Sequence, residues 1–260
     1  MFKLTRRSVP VLFAVLAISL AACSSTEDKF DPNETPQKMY EDAKGFLDGG
    51  SYESAIKSYE KLEARFPYGV YAEQAELDVA YANFRLRDDA SAIAACDRFI
   101  KTHPSHPNVD YAYYIKGLAN YNDVPTIIEF LTGDDLPNRD PEASRQAFEA
   151  FKELVTRFPN SRYAPDATRR MASLVSALAE HELNVARYYM QRRAPLAAIN
   201  RAQEVLKTFP KERAVEEALA IMIEGYGELN LPLLKTDAER VLKQSFPNSV
   251  YLSHPLVSKR

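Results

Sequence analysis

Five proline-marked stops recur along the chain, and their near-regular spacing leaves few folds open. Phe66-Pro67, His103-Pro104, Phe158-Pro159, Phe209-Pro210 and Phe246-Pro247 each close an amphipathic stretch, with the prolines 37, 55, 51 and 37 residues apart. Proline lacks an amide donor, clashes with the turn before it and pushes the preceding residue out of helical conformation, so each mark ends a helix. Ala55, Ala92, Ala147 and Ala198 stand twelve residues before the first four prolines; Ala75, Ala112, Ala167 and Ala218 stand eight residues after them. Small side chains at fixed offsets are what close helix-on-helix contact requires. Self-similarity at this period predicts an all-α chain, an α-solenoid of about five helix pairs.

Between the marks the apolar spacing is helical. Tyr52, Ile56, Tyr59 and Leu62 follow a 3.6-residue period, as do Met171, Leu174, Val175 and Leu178, and then Leu234, Ala238, Val241 and Leu242. No run alternates as a strand would. Helix starts are expected where Asp140 caps and Pro141 takes the first helical position, and at Asp88 or Asp89. A small residue, Ala twelve residues on, an aromatic or apolar residue four after that and Pro eight later resembles the tetratricopeptide repeat. Ala43, Ala55, Tyr59 and Pro67 carry it, then Ala80, Ala92, Cys96 and Pro104; Ala147, Phe151 and Pro159, and Ala186, Ala198, Ala202 and Pro210, follow more loosely. The fifth unit has an extra residue before its proline and lacks the small residue, as a terminal repeat can.

Two intervals exceed 37 residues, by 18 and 14. The first excess falls in 122–140, a loop with Gly133, Asp134, Asp135, Pro137 and Asn138, between the helices of the third unit. The second lengthens the first helix of the fourth unit to roughly Tyr163–Arg192. The organisation expected is a leader over 1–22, a lipidated cysteine and tether over 23–36, repeats one to three over 37–160, repeats four and five over 161–250, and a tail over 251–260.

The amino terminus reads as an address. Lys3, Arg6 and Arg7 precede an apolar run from Val9 to Ala22, too short to span a bilayer, for which a helix needs about 20 residues. The run closes on Leu20-Ala21-Ala22-Cys23, which resembles the lipobox of bacterial lipoproteins. That resemblance implies cleavage before Cys23 and acylation there. Two or more acyl chains hold a protein to a membrane where one lets go. Ser24, where an Asp would favour inner-membrane retention, points to the outer membrane. Ser24–Pro36 is polar and proline-punctuated, a tether reaching about 20 Å if it behaves as a flexible coil. With Cys23 spent on lipid, Cys96 has no partner for an intramolecular disulfide, so packing must supply the stability.

Composition and motifs exclude more than they assign. The net charge is −3, and Lys3, Arg6 and Arg7 leave with the leader, so no basic surface for nucleic acid is implied. His103 and His106 flank prolines that break the helix needed to align them on a metal, so they read as loop histidines. Asp134, Asp135 and Asp140 lack the ligand spacing of a calcium loop. No phosphate loop or nucleophile elbow is present. Cys96 occupies a core position. No enzyme activity, metal or other cofactor is expected.

What remains is surface. The first helices of the early units, which line the concave face of such solenoids, carry Tyr40, Tyr71, Tyr81, Phe84, Tyr111, Tyr113, Tyr114 and Tyr121. Arg85, Arg87 and Lys116 lie nearby and suit a peptide carboxylate, to which charge-assisted hydrogen bonds are strong. The groove expected is therefore Tyr71, Tyr81, Phe84, Arg85, Arg87, Tyr111, Tyr114, Lys116 and Tyr121.

The lipobox, the five repeats and the phrases Phe66-Pro67-Tyr68-Gly69, His106-Pro107-Asn108-Val109-Asp110-Tyr111, Asn138-Arg139-Asp140-Pro141 and Phe158-Pro159-Asn160-Ser161 together resemble the BamD family, the tetratricopeptide-repeat lipoproteins of the outer-membrane β-barrel assembly machinery. The resemblance runs from the leader to about the fifth repeat. It implies a periplasm-facing, outer-membrane lipoprotein without nucleic-acid partners. It also implies docking of the carboxy-terminal repeats on a POTRA domain of the barrel subunit BamA, companion lipoproteins, and amino-terminal repeats that receive unfolded outer-membrane proteins by their carboxy-terminal targeting segments. Asn200-Arg201 lies in a stretch similar to the BamA-facing helix of that family, which implies an ion pair from Arg201 across the interface. The tail 251–260 matches no family pattern. A repeat adaptor for cell-wall synthesis or division is the other class the pattern fits.

Overall fold

A computed structural model describes residues 33–121, 141–254 and 256. The leader, Cys23 and most of the tether, the insertion 122–140 and the end of the tail lie outside the described residues. From Pro36 onward the described helices are α1 (Pro36–Asp48), α2 (Tyr52–Arg65), α3 (Val70–Arg85), α4 (Asp89–Thr102), α5 (Val109–Tyr121), α6 (Pro141–Arg157), α7 (Ala164–Gln191), α8 (Pro195–Thr208), α9 (Ala214–Glu228), α10 (Pro232–Ser245) and the single turn α11 (Val250–Ser253). Among the described residues there is no strand. The helices from α1 to α10 pack in sequence as five antiparallel pairs, and first helices also meet those of the next unit, α1 on α3, α3 on α5 and α7 on α9. The fold is an α-solenoid.

Two kinds of turn are repeated. Within units one, two, four and five, Gly50, Arg87, Arg193 and Asn230 take left-handed φ of 77, 63, 55 and 56°. Each donates its amide to the carbonyl three residues back, as from Arg87 to Phe84, and the next amide reaches five back, as from Asp88 to Asn83. This satisfies the carbonyls a helix end leaves orphaned. Asp88 then caps α4 by accepting from the Ser91 amide at 3.1 Å. Between units the pre-proline residue leaves the helix, with φ between −125 and −133° at Phe66, His103, Phe209 and Phe246.

The alanine register is the packing seam. Ala55, Ala92, Ala147 and Ala198, and Ala75, Ala112, Ala167 and Ala218, are all 0% exposed. The third unit's small residue is Gly117 on α5, the register position once the insertion is counted. A Cβ there would lie 2.3 Å from the Phe151 ring, so α5 and the fully buried Phe151 of α6 fit only because that atom is missing. Helix α7 joins two cores: Ala164, Ala167 and Leu174 pack with Leu77, Phe99 and Phe151, whereas Ala179, Leu183 and Ala186 pack with α8 and α9. Its bounds match the lengthened helix expected from the spacing. In α10 the stripe is only half buried, with Ala238 and Leu242 inside but Leu234 and Val241 40% or more exposed, because no sixth pair among the described residues covers them.

One seam carries mismatched charge. Glu63 of α2 and Glu76 of α3 each bury a carboxyl oxygen without a hydrogen-bond partner. Burial, and then the Glu76 charge, push the Glu63 carboxyl up to about 7, against a weaker pull from Arg98. The folded chain therefore binds this proton more tightly than the unfolded one, and stability falls as pH rises from about 4.5 to 7. Glu63→Gln should raise stability by about 1 kcal/mol at pH 8, after discounting for solvent screening, and add nothing at pH 4. Urea titrations at the two pH values check this. Gly117→Ala should cost about 2 kcal/mol through overpacking against Phe151, despite the better helix propensity of Ala. Phe151→Leu in that background should restore part of the loss, read as thermal midpoints.

Candidate polypeptide-binding surface

The first helices and the turn before α7 place tyrosines on one face because their spacing is three or four residues, one helical stripe. Tyr71, Gln74, Asp78, Tyr81 and Arg85 form the stripe on α3, and Tyr111, Tyr114, Leu118 and Tyr121 the one on α5. Of the nine groove residues expected from sequence, Tyr71, Tyr81, Tyr111, Tyr114 and Tyr121 are half-buried on these stripes and Arg85 is exposed beside them. Phe84 is half-buried against Cys96 and Ile115 with Tyr81 and Tyr111.

Two polar hubs fix the rings. Asp78, almost fully buried, accepts from Tyr40 Oη at 2.8 Å, Tyr59 Oη at 2.9 Å and Gln74 Nε2 at 2.9 Å. Gln74 in turn accepts from Asn108 Nδ2 at 3.1 Å. This chain of bonds ties the first three units together. Burial, and then the Asp78 charge, raise the Tyr40 and Tyr59 hydroxyls, so both stay protonated donors. The second hub is Asp166 of α7, accepting from Tyr114 Oη at 2.8 Å, Arg169 Nη2 at 2.8 Å and Arg170 Nε at 2.6 Å. Burial opposes its ionisation, yet the bonds from Arg170, Arg169 and Tyr114 hold its carboxyl down at about 2.

Around these hubs the rings form a ladder. Tyr40 and Tyr71 lie 5.7 Å apart and Tyr81 and Tyr111 6.4 Å apart; Tyr163 stacks on Tyr111 at 5.1 Å and on Tyr114 at 4.7 Å. Guanidiniums cover ring faces: Arg85 over Tyr52 at 4.9 Å, Arg162 over Tyr163 at 4.8 Å and Arg170 over Tyr121 at 4.9 Å. A depression beside the stack is lined by Leu77, Asn108, Tyr111, Arg162 and Tyr163. Such a surface offers apolar ring area, hydroxyls and cations in alternation. It suits an extended polypeptide with aromatic side chains and a free carboxylate, and holds no nucleophile–base pair.

Two of the groove residues expected from sequence sit elsewhere. Lys116 pairs with Asp97 of α4 and shares a separate depression with Tyr113 and Glu149. Arg87 is the left-handed residue of the α3–α4 turn. Sequence reading missed Tyr163, Arg162, Arg170 and Asp166. Tyr163 carried a signal, since it stands four residues after Pro159 as Tyr71 does after Pro67. Cys96 is buried, and burial, with the Asp97 charge, pushes its thiol up to about 12, so it is inert. His103 and His106 pack on Phe99 near Glu76 and Glu73.

In the carboxy-terminal units, Asn200 is exposed on α8 and Arg201 donates from Nη1 to Glu182 of α7 at 3.0 Å. Arg187 makes two bonds of 2.6 Å to Glu217 and one of 2.7 Å to Glu180, beside a cavity of about 760 Å³ floored by Leu183, Phe246 and Tyr251. Among the described residues, no group of three or more His, Cys, Asp or Glu is placed to hold a metal ion, and no helix is long and apolar enough to cross a membrane.

Paired helices, repeated turns and an aromatic, polar face define a tetratricopeptide-type scaffold. The family pattern described as YfiO, outer membrane lipoprotein, matches residues 32–242. The outer membrane protein assembly factor BamD of Neisseria meningitidis serogroup B is 45% identical over 243 residues, covering 92% of this chain and 91% of the relative. BamD of Vibrio cholerae is 40% identical over 234 residues, covering 90% and 95%. The chain belongs to the BamD family of outer-membrane lipoproteins. A Podosopora anserina kinesin light chain with TPR-like repeats aligns over 83% of this chain and all of its own, at 12% identity and a TM-score of 0.35, too loose a superposition to bear on the fold.

The hubs make a prediction about rigidity. Tyr114→Phe should cost about 1 kcal/mol, since Asp166 keeps two arginine donors, whereas Asp166→Asn, which weakens three bonds at once, should cost about 2 kcal/mol. Urea denaturation of the two variants compares them.

Proposed function

We propose that this chain is a non-enzymatic scaffold of the outer-membrane β-barrel assembly complex, anchored by lipid at Cys23 on the periplasmic side, that receives unfolded outer-membrane proteins and docks on a BamA-type subunit. Family membership supports the assembly role. The observation that carries the receiving role is the tyrosine ladder across the first three units, with Arg85, Arg162 and Arg170 on its rings. Targeting segments of barrel proteins end in alternating apolar and aromatic residues; stacked rings bury such side chains while guanidiniums meet the chain terminus. Anchoring and docking then raise the effective concentration of client at the insertion site. The carboxy-terminal units supply the docking end, with companion lipoproteins as further partners. Their exposed Leu196, Leu233 and Leu234 suit protein contact.

Palmitate labelling at Cys23 and co-purification with a BamA-type subunit from detergent-solubilised outer membranes test the assignment; an unlabelled chain, or one recovered without that subunit, contradicts it. For the receiving surface, Arg85→Glu with Arg162→Glu should weaken binding of a client carboxy-terminal peptide about tenfold at low salt and less at high salt, with helicity unchanged. Fluorescence anisotropy reads this, and unchanged affinity would remove the face from the account.

A further inference from the structure

The cavity of about 760 Å³ in the carboxy-terminal units joins an apolar floor to an acidic rim. Leu183 of α7, Phe246 and Tyr251 form the floor, and the rim sets Glu180, Glu212, Glu216 and Glu217 against Arg213. Arg187 pairs with Glu217 and Glu180. Glu212 accepts from Ser176 Oγ at 2.7 Å and, like Glu216, is in ion-pair contact with no cation among the described residues. Four carboxylates thus face two guanidiniums, an excess of two negative charges. Lysine and arginine suit such a place, because their methylene stems lie along apolar surface while the head reaches a charge at its edge. The chain itself delivers two of them to the lip. Leu256, half-buried, packs on the same core as the floor residues Phe246 and Tyr251, so after α11 the chain returns to the body of the protein. Val257, Ser258, Lys259 and Arg260 come next, and no acidic residue follows Glu239. From Leu256 an extended chain covers about 10 Å to Lys259 and about 13 Å to Arg260, before either side chain is counted.

We propose that residues 257–260 of this chain dock in the cavity between α7 and α9, with Val257 on the floor of Phe246 and Tyr251 and with Lys259 and Arg260 meeting Glu212 and Glu216. The two positive charges of the segment equal the excess on the rim. Ion pairs at an exposed rim are each worth under about 1 kcal/mol, too little to hold a free peptide. A segment tethered a few residues from its site meets it at an effective concentration in the millimolar range or above, so weak contacts suffice. Docked there, the segment is a latch. It ties α10 and α11, the end of the solenoid, to α7, the helix that belongs to both cores. The last pair of a repeat array lacks a following neighbour, and a latch of this kind supplies part of the missing contact.

The test uses the full chain in detergent with a photoreactive residue in place of Ser258, and mass spectrometry of the digested product maps what it captures. Capture should fall on α7 near Ser173 to Leu183 and on α9 near Glu212 to Glu217. The yield should drop several-fold between about 0.1 M and about 0.5 M salt, because rim charges are screened. Lys259→Glu with Arg260→Glu should lower the yield about tenfold with helicity unchanged, and Glu212→Lys with Glu216→Lys should do the same. The four substitutions together should recover most of it, since the charges are then exchanged across the same contact. Should the two rim substitutions unfold the chain, reversal of the tail charges alone carries the test, because residues 259 and 260 lie beyond the last helix. Capture spread over the surface without preference for α7 and α9, or a yield indifferent to salt and to tail reversal, overturns the latch. No recovery in a folded fourfold variant overturns the pairing with Glu212 and Glu216. Capture confined to cross-linked dimers gives the cavity to the tail of a second copy and overturns the intramolecular docking.

Discussion

Close approach of neighbouring helices, permitted by small side chains at one register, is the constraint on which the rest of the molecule depends. Eight alanines at two fixed offsets from the prolines are fully buried, and at the third unit a glycine stands where even a methyl group would collide with Phe151. Because interiors pack as tightly as organic crystals, the seam sets the separation of the pairs and therefore the position of everything the first helices display. Among the described residues no disulfide compensates for a loosened seam, since Cys96 is buried and free.

From that seam follows a division of labour. The first helices of units one to three, with the turn before α7, expose a ladder of tyrosines capped by arginines, pinned by Asp78 and Asp166. Helix α7, twice the length of most others, belongs to two cores at once, so the amino-terminal and carboxy-terminal units share one rigid member. The scaffold we propose, receiving a client with one end and docking with the other, needs such a member. Polar networks of this kind are costly when incomplete and rigidifying when satisfied, and here each hub carboxylate has at least three donors.

Much of the fold was legible in the sequence, because proline and alanine act locally and in register. The helix pairs, the lengthened α7, the cap at Asp88 and the burial of Cys96 all follow from residue type and spacing. Gly117 was harder to place, because the insertion obscures its register. The outward half of the α10 stripe, Leu234 and Val241, keeps the same helical period as the buried half, because periodicity reports amphipathicity and is silent on whether a neighbour exists to cover it. The site was legible in its aromatics and less so in its charges. Tyr81, Tyr111 and Tyr114 come together as their spacing predicts. Lys116 and Arg87 do not join them, because Lys116, two residues from both Tyr114 and Leu118, lies on another face of α5 and pairs with α4, and a turn residue follows the turn. Arg170 and Asp166 lie some fifty residues on from the tyrosines they touch, and Arg162 reaches the ladder through its neighbour Tyr163; only the packing of the start of α7 against α5 brings them there.

Site-specific photo-crosslinking in living cells tests the central claim most directly, that the first-helix face receives unfolded barrel proteins. A photoreactive residue at position 85 or 162 should capture newly exported outer-membrane proteins, and the same residue at position 152, exposed on the second helix α6, should not. Capture from position 152 equal to that from 85 and 162, or no client captured from either ladder position, would contradict the account.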